Sequence, residues 1–321
     1  MYSSVNPQHV ASRKLINVGQ SVLLLGGMAL LLALLGWAIA GSVGLLVAAG
    51  GMVLLLIGPQ LSPRVILRMY RTRPLTPHEA PVIYRMLQTL AQRAELVSPP
   101  QLYYAPSAMM NAFTIGRRDD AAITVTDGLV RRLSHRELIG VLAHEISHIR
   151  NNDTWVMGLA GAVSRLTSIL SRMGQVVLLV SIPMLLVGAY SPPWLLLLLL
   201  ICAPTLSDLL QLALSRRREF DADLDAARLT GDPVGLASAL DKLEHHQPGL
   251  WERIFLPRRH VPNPALLRTH PTTQERIRRL LALQDGRVSQ RPVAPPSSPV
   301  AARRLFAQAL SSPWQPSAGI T

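Results

Sequence analysis

Apolar residues run without interruption through two long stretches near the N-terminus. Residues 22–40 carry no charge, and after Gly41 and Ser42 residues 43–61 are again uncharged, ending near Pro59 and Pro63. About 20 apolar residues in a helix cross the hydrocarbon core of a bilayer, so the two stretches predict a tight transmembrane hairpin. The pattern recurs at 173–190 and 194–214, separated by Ser191, Pro192 and Pro193, and predicts a second hairpin. Pro183, Pro204 and Asp208 interrupt these spans locally; an aspartate at such a place faces protein or the interface. The third span has an earlier possible start at Trp155, and Arg165 and Arg172 argue that this stretch first runs as a cytoplasmic or interfacial extension.

Between and after the spans the pattern turns amphipathic. Thr76, Pro77 and Glu79 form a helix-start signature ahead of an apolar face made by Val82, Ile83, Met86, Leu87 and Leu90. Short strands follow at 101–105, 111–116 and 121–126, the last two joined by the polar turn Arg117-Arg118-Asp119-Asp120 as a hairpin. Ser134 and Glu137 make a capping box ahead of a helix whose apolar positions include Leu138, Val141, Leu142, Ile146 and Ile149. Further helices are expected over 218–229, from Asp232-Pro233 to about Glu244, and from Thr272 with Glu275 to about Leu283. Residues 285–321, rich in proline, serine and alanine, are expected to be disordered, with 300–310 able to form a short amphipathic helix on a membrane or partner. The fold class is therefore a mainly α membrane protein: two transmembrane helical hairpins, four spans in all, plus a soluble α+β domain. Five segments result: 1–61, the first hairpin; 62–172, the first part of the soluble domain; 173–214, the second hairpin; 215–284, its second part; and the tail, 285–321.

Composition supports this division and adds an orientation. Only 16% of the 321 residues are charged and 5% are aromatic. The net charge of +13 is nearly all arginine, since Lys14 and Lys242 are the only lysines. Arg13 and Lys14 precede the first hairpin and Arg64, Arg68, Arg71 and Arg73 follow it; Arg172 precedes the second and Arg216, Arg217 and Arg218 follow that. Neither hairpin tip carries a basic residue, so the positive-inside rule places the soluble parts and both termini in the cytoplasm. The charge reads as topology setting and attraction to anionic lipid, with no nucleic-acid partner, because no nucleic-acid motif accompanies it. A signal peptide competes for the first apolar run, with Ala38-Ile39-Ala40 as its cleavage site, but the run is long and a second span follows at once. Cys202 is the sole cysteine, so no disulfide forms within the chain.

The candidate chemistry lies in the capped helix, which contains His144-Glu145-Ile146-Ser147-His148. On a helix His144 and His148 are one turn apart on one face, so both imidazoles reach a single tetrahedral zinc ion. Glu145 points about 100° away around the helix, near enough to touch a metal-bound water without filling a ligand position. Two histidines supply only part of a ligand set. Beyond the second hairpin, Glu219 and Asp223 are one turn apart, as are Asp221 and Asp225. An acidic helix face is commonly just solvated, but Glu219 could be the missing third ligand, with Asp223 accepting a hydrogen bond from a ligand histidine and fixing its tautomer.

Taken together, NAF at 111–113, ITVTDGL at 123–129, ELIGVLAHEISHI at 137–149, the following Asp153, REFDAD at 218–223 and HP at 270–271 resemble the HtpX family of membrane zinc endopeptidases, relatives of the CAAX prenyl endopeptidases. The resemblance covers roughly residues 15–283 and departs from the family in the short loop between the last two spans and in the tail. It implies a zincin-like peptidase domain in which His144, His148 and Glu219 bind one Zn2+ per chain, Glu145 is the catalytic acid/base and Asp223 supports a ligand histidine. It also implies that Asn111 helps bind substrate and that His270 stands near it; His270 either stabilises the oxyanion or caps a helix. The preceding strands either offer an edge to an extended peptide or are purely structural. The implied activity is cleavage of polypeptides at the cytoplasmic face of a bacterial inner membrane, with damaged or misfolded membrane proteins as substrates. A prenyl-protein peptidase and a catalytically silent membrane scaffold are the other readings. Oligomeric state is not legible in the sequence.

Overall fold

A computed structural model describes residues 7–57, 67–68, 70–188, 194–245 and 273–284. It divides into two compact units, Met1–Gln60 with Trp155–Arg217, and Leu61–Thr154 with Arg218–Thr321.

The first unit is helical and apolar. Helix α1 (Pro7–Ile57) is broken at Ala40 and Gly41, the latter at φ +59°, a conformation that favours glycine. Gly36 and Gly44, flanking the break, pack so closely that a Cβ on Gly44 would lie 1.9 Å from the Gly36 carbonyl oxygen. In a straight helix these residues would be about 12 Å apart. The chain therefore reverses here. Helix α5 (Asp153–Val180) and helix α7 (Trp194–Thr230) as far as Arg217 contribute the rest of the unit, with the short α6 (Ile182–Leu186) between them. Three helical segments, Gly19–Leu56, Asp153–Val180 and Leu195–Thr230, are long and apolar enough to cross a membrane. Met28, Leu32, Ala48, Val156, Ala160, Val163 and Leu214 form their common core.

The helix that carries the third apolar run begins at Asp153, and Arg165 and Arg172 lie within it. Pro204 sits inside α7 and denies the Leu200 carbonyl its usual helical donor. Ser171 and Gln175 of α5 donate to that oxygen instead, Gln175 Nε2 at 2.7 Å. Asp208, although exposed, accepts a hydrogen bond from the Ser164 hydroxyl.

The second unit is built on a four-stranded sheet in the order β1-β2-β4-β3. Strands β2 (Gln101–Ala105), β3 (Ala112–Ile115) and β4 (Ala122–Thr126) are the three predicted ones, and β1 (Arg73–Pro74) adds a two-residue pairing on β2. The predicted hairpin is the antiparallel β3–β4 pair, with Phe113 opposite Thr124 and Thr114 opposite Ile123; β2 runs parallel to β4. Alternation sends Leu102, Ile123 and Val125 into the core beneath the sheet, where they meet Leu138, Val141, Leu142 and Ile146.

Helix α2 spans Pro81–Arg93 and begins later than the capping signature suggested. Thr76 and Glu79 do exchange hydrogen bonds, but they close an isolated turn. The cause is Pro81, which disfavours helical backbone at the preceding residue; Ala80 sits at φ −135°, ψ 58°. Short α3 (Asp127–Arg132) links the sheet to α4 (His135–Arg150), and α8 (Pro233–His245) and α9 (Thr273–Gln284) complete the unit. The predicted cap at Thr272, His270, and the whole tail from 285 lie outside the described residues.

Candidate metal centre

Helix α4 is fixed at its N-terminus before it presents any chemistry. Ser134 and Glu137 form the predicted capping box, and the buried Glu137 carboxylate also accepts hydrogen bonds from Ser238 at 2.6 Å and Lys242 at 2.7 Å, both on α8. Gly140 lets α8 approach closely, since a Cβ there would come within 2.9 Å of the Leu236 backbone. Arg136 pairs with Asp232, which in turn accepts from the Gly235 amide at the first turn of α8. These contacts, with Leu142, Ala143 and Ile146 fully in the core, set the orientation of the next turn.

That turn carries His144 and His148, whose Nε2 atoms face each other 3.1 Å apart. Glu219 of α7 completes a triangle: its carboxylate oxygens come within 3.4 Å of His144 Nε2 and 3.7 Å of His148 Nε2. Ligand atoms about 2.0–2.1 Å from a tetrahedral ion lie roughly 3.3–3.4 Å from each other, and the contacts among the three side chains bracket that spacing, with each histidine facing a different Glu219 oxygen. The other ring nitrogens are directed at carboxylates. His148 Nδ1 is 2.9 Å from Asp153 Oδ2, and His144 Nδ1 is 3.1 Å from Asp223 Oδ1, a contact bent away from ideal hydrogen-bond geometry. With Nδ1 protonated toward its carboxylate, each Nε2 carries a lone pair into the shared space, and a proton or a metal ion between them removes the repulsion.

The electrostatics favour positive charge there. Burial opposes a charge on His144, but Asp223 and Glu219 outweigh it and push its pKa up to about 10. His148 is raised as well, its burial outweighed chiefly by Asp153. Burial would raise the Asp223 carboxyl, yet the Arg276 guanidinium holds it below the usual carboxylate range. A donor set of two imidazoles and one carboxylate is what zinc takes when one coordination position is left open. The fit therefore rests on donor type, spacing and field together.

The two outer carboxylates are themselves paired. Arg276 of α9 binds Asp223 through two hydrogen bonds of 2.7 Å and reaches Glu219 Oε2 at 3.0 Å. Arg218 binds Asp153 at 2.8 Å. Each histidine therefore stands at the head of a His–Asp–Arg chain. Glu145 points elsewhere: its carboxylate accepts a 2.7 Å hydrogen bond from the Thr114 hydroxyl on β3. Strand β3 ends the sheet order, with β4 on one side and no other strand beside it among the described residues. Asn111 precedes β3 directly, its amide bound to Thr126 Oγ1 at 2.9 Å.

The structure places His144, Glu145, His148, Glu219 and Asp223 in one region and adds Thr114, Asp153, Arg218 and Arg276. Asp153 was legible only as part of a motif, without a partner. Arg276 had a signal that went unread: it lies four residues before Leu280, and these two are the buried residues of α9, so an arginine occupies the helix's apolar stripe. Among the described residues His144, His148 and Glu219 are the one group placed to hold a metal ion.

Residues 77–284 match the model of peptidase family M48. A "Protease HtpX homolog" of Acaryochloris marina is 40% identical over 268 residues, 78% of this chain and 88% of that one. Another, of Kineococcus radiotolerans, is 39% identical over 240 residues, 69% and 80% of the two chains. The crystal structure of S. mikatae Ste24p aligns with 85% of this chain and 66% of that one, at 18% identity and a TM-score of 0.39.

Proposed function

This chain belongs to peptidase family M48 as an HtpX-like membrane metalloprotease, and on that footing we propose that it is a zinc endopeptidase working at the cytoplasmic face of a bacterial inner membrane. The observation that carries the site assignment is the convergence of His144 Nε2, His148 Nε2 and the Glu219 carboxylate, with Glu145 on the same helix turn and outside the ligand triangle. When bound, zinc supplies Lewis acidity toward water and toward the scissile carbonyl.

The chain's own residues do the rest. Glu145 takes a proton from the attacking water and delivers it to the leaving amine. Thr114 holds one Glu145 oxygen, so the other is the one presented to the reaction. Asp153 and Asp223 hold the imidazoles in the tautomer that turns Nε2 to the ion. An extended polypeptide pairs with the outer edge of β3 by strand addition, which sets its scissile bond beside Glu145. Asn111, at the start of that edge, takes part in binding it, and His270 assists at the oxyanion. The arginines flanking the spans support four crossings with both termini in the cytoplasm. The apolar helices favour substrates that share the membrane, and damaged or misfolded membrane proteins are the class proposed.

The test compares wild type, Glu145→Gln and Glu219→Ala, purified in detergent, for bound zinc and for cleavage of casein. Glu145→Gln is expected to keep its metal and lose about 10²–10⁴-fold in rate, and Glu219→Ala to lose metal and cleavage together. Equal cleavage by all three, or a wild type without zinc, would leave a membrane scaffold as the better reading.

A further inference from the structure

The two His–Asp–Arg chains are not equivalent. Arg218 contacts Asp153 and leaves its own buried Nε without a hydrogen-bond partner. Arg276 spans two functions: two of its nitrogens bind both oxygens of Asp223, Nη1 reaches Glu219 Oε2 at 3.0 Å, and Nη2 comes within 3.5 Å of His144 Nε2. It is a buried cation placed against one ligand carboxylate and against the carboxylate that orients another ligand. A guanidinium in that position has two effects. It occupies one oxygen of Glu219, which disfavours ligation through both oxygens. It also draws negative charge from the ligand set, so that less of the ion's charge is cancelled by Glu219.

We propose that Arg276 is a positioning residue of the metal centre, holding Glu219 to one-oxygen ligation and thereby keeping a coordination position open. This rests on the metal site argued above. A lysine cannot reproduce it, because an ammonium is a point charge and lacks the planar fork that binds Asp223 while still reaching Glu219. Its action passes through the groups it contacts, Glu219, Asp223 and His144.

The experiment uses the full chain in detergent, loaded with Co2+ in place of zinc, with Arg276→Gln, Arg276→Lys, Arg218→Gln and Leu280→Ala beside wild type. Leu280 is buried on the same stripe of α9, so its truncation loosens the helix without touching charge. Metal affinity is read by chelator competition and coordination number by the visible Co2+ spectrum. Arg276→Gln is expected to weaken metal binding by about 10- to 100-fold, because losing the orientation of Asp223 and Glu219 outweighs the gain from removing a nearby cation, and to replace the strong four-coordinate bands with the weaker ones of higher coordination. Arg276→Lys should recover affinity in part while keeping the altered spectrum. Arg218→Gln should lower affinity with the four-coordinate bands intact, and Leu280→Ala should lower the melting temperature alone. Wild-type affinity and spectrum in both Arg276 variants, or the same spectral change in Leu280→Ala, would overturn the proposal. Absence of metal from wild type would overturn the site itself, a distinguishable result.

Discussion

The two units solve opposite problems. Around the metal centre, Glu219, Asp223, Asp153 and Arg276 are each at most 8% exposed, and every one has an opposite charge or an imidazole at hydrogen-bond distance. In the apolar unit the pattern is inverted: Leu23, Leu46 and Val180 are more than 70% exposed, and the close contacts are made by glycines, such as Gly36 on Gly44. Burying charge demands partners, whereas helices whose outer faces meet lipid need small residues and satisfied backbone. One unit is held by specific pairing and the other by fit. Their responses to substitution should therefore differ in kind.

The largest effect is expected from Gly44→Leu. A side chain there meets the Gly36 carbonyl, and overpacking of this sort costs about 1–3 kcal/mol or more. Melting temperature in detergent should fall while zinc per folded chain stays at the wild-type value; a parallel loss of zinc would break the separation of the two units. Next comes Thr114→Val, which keeps shape and strand preference but removes the hydrogen bond to Glu145. Turnover should fall about tenfold, the scale of a bond to a charged group, with metal content and melting temperature unchanged. The smallest effect concerns Glu137. Burial would raise its carboxyl, but Lys242, Ser238 and Ser134 hold it below its usual value. Its contribution is therefore complete above the ordinary carboxylate range and is lost as pH falls through the lowered value. Glu137→Gln should flatten the loss of melting temperature between pH 6 and pH 3 and leave turnover near pH 7 intact.

How much of this was legible in the sequence depends on the range of each signal. The α4 helix, its cap and its two histidines are encoded at spacings of three and four residues, and so are Glu219 and Asp223. The three main strands and the chain reversal at Gly41 were also local. The Thr76 turn misled because one proline at 81 overrides a complete capping signature. The Thr114–Glu145 and Arg276–Asp223 contacts join positions 31 and 53 residues apart, and no spacing rule announces them. What could announce them is charge balance: an acidic face that is buried must find cations, and a buried arginine on an apolar stripe must find anions.

The order of these residues along the chain has a consequence for timing. His144 leaves the ribosome 132 residues before Arg276. At about 5–20 residues per second that gap is on the order of ten seconds. Throughout it the nascent protein carries its histidine pair without the last member of the pocket that surrounds it. The complete pocket is thus a late product of synthesis, and a fragment ending before α9 would carry the three candidate ligands without the guanidinium that pairs Asp223 and Glu219.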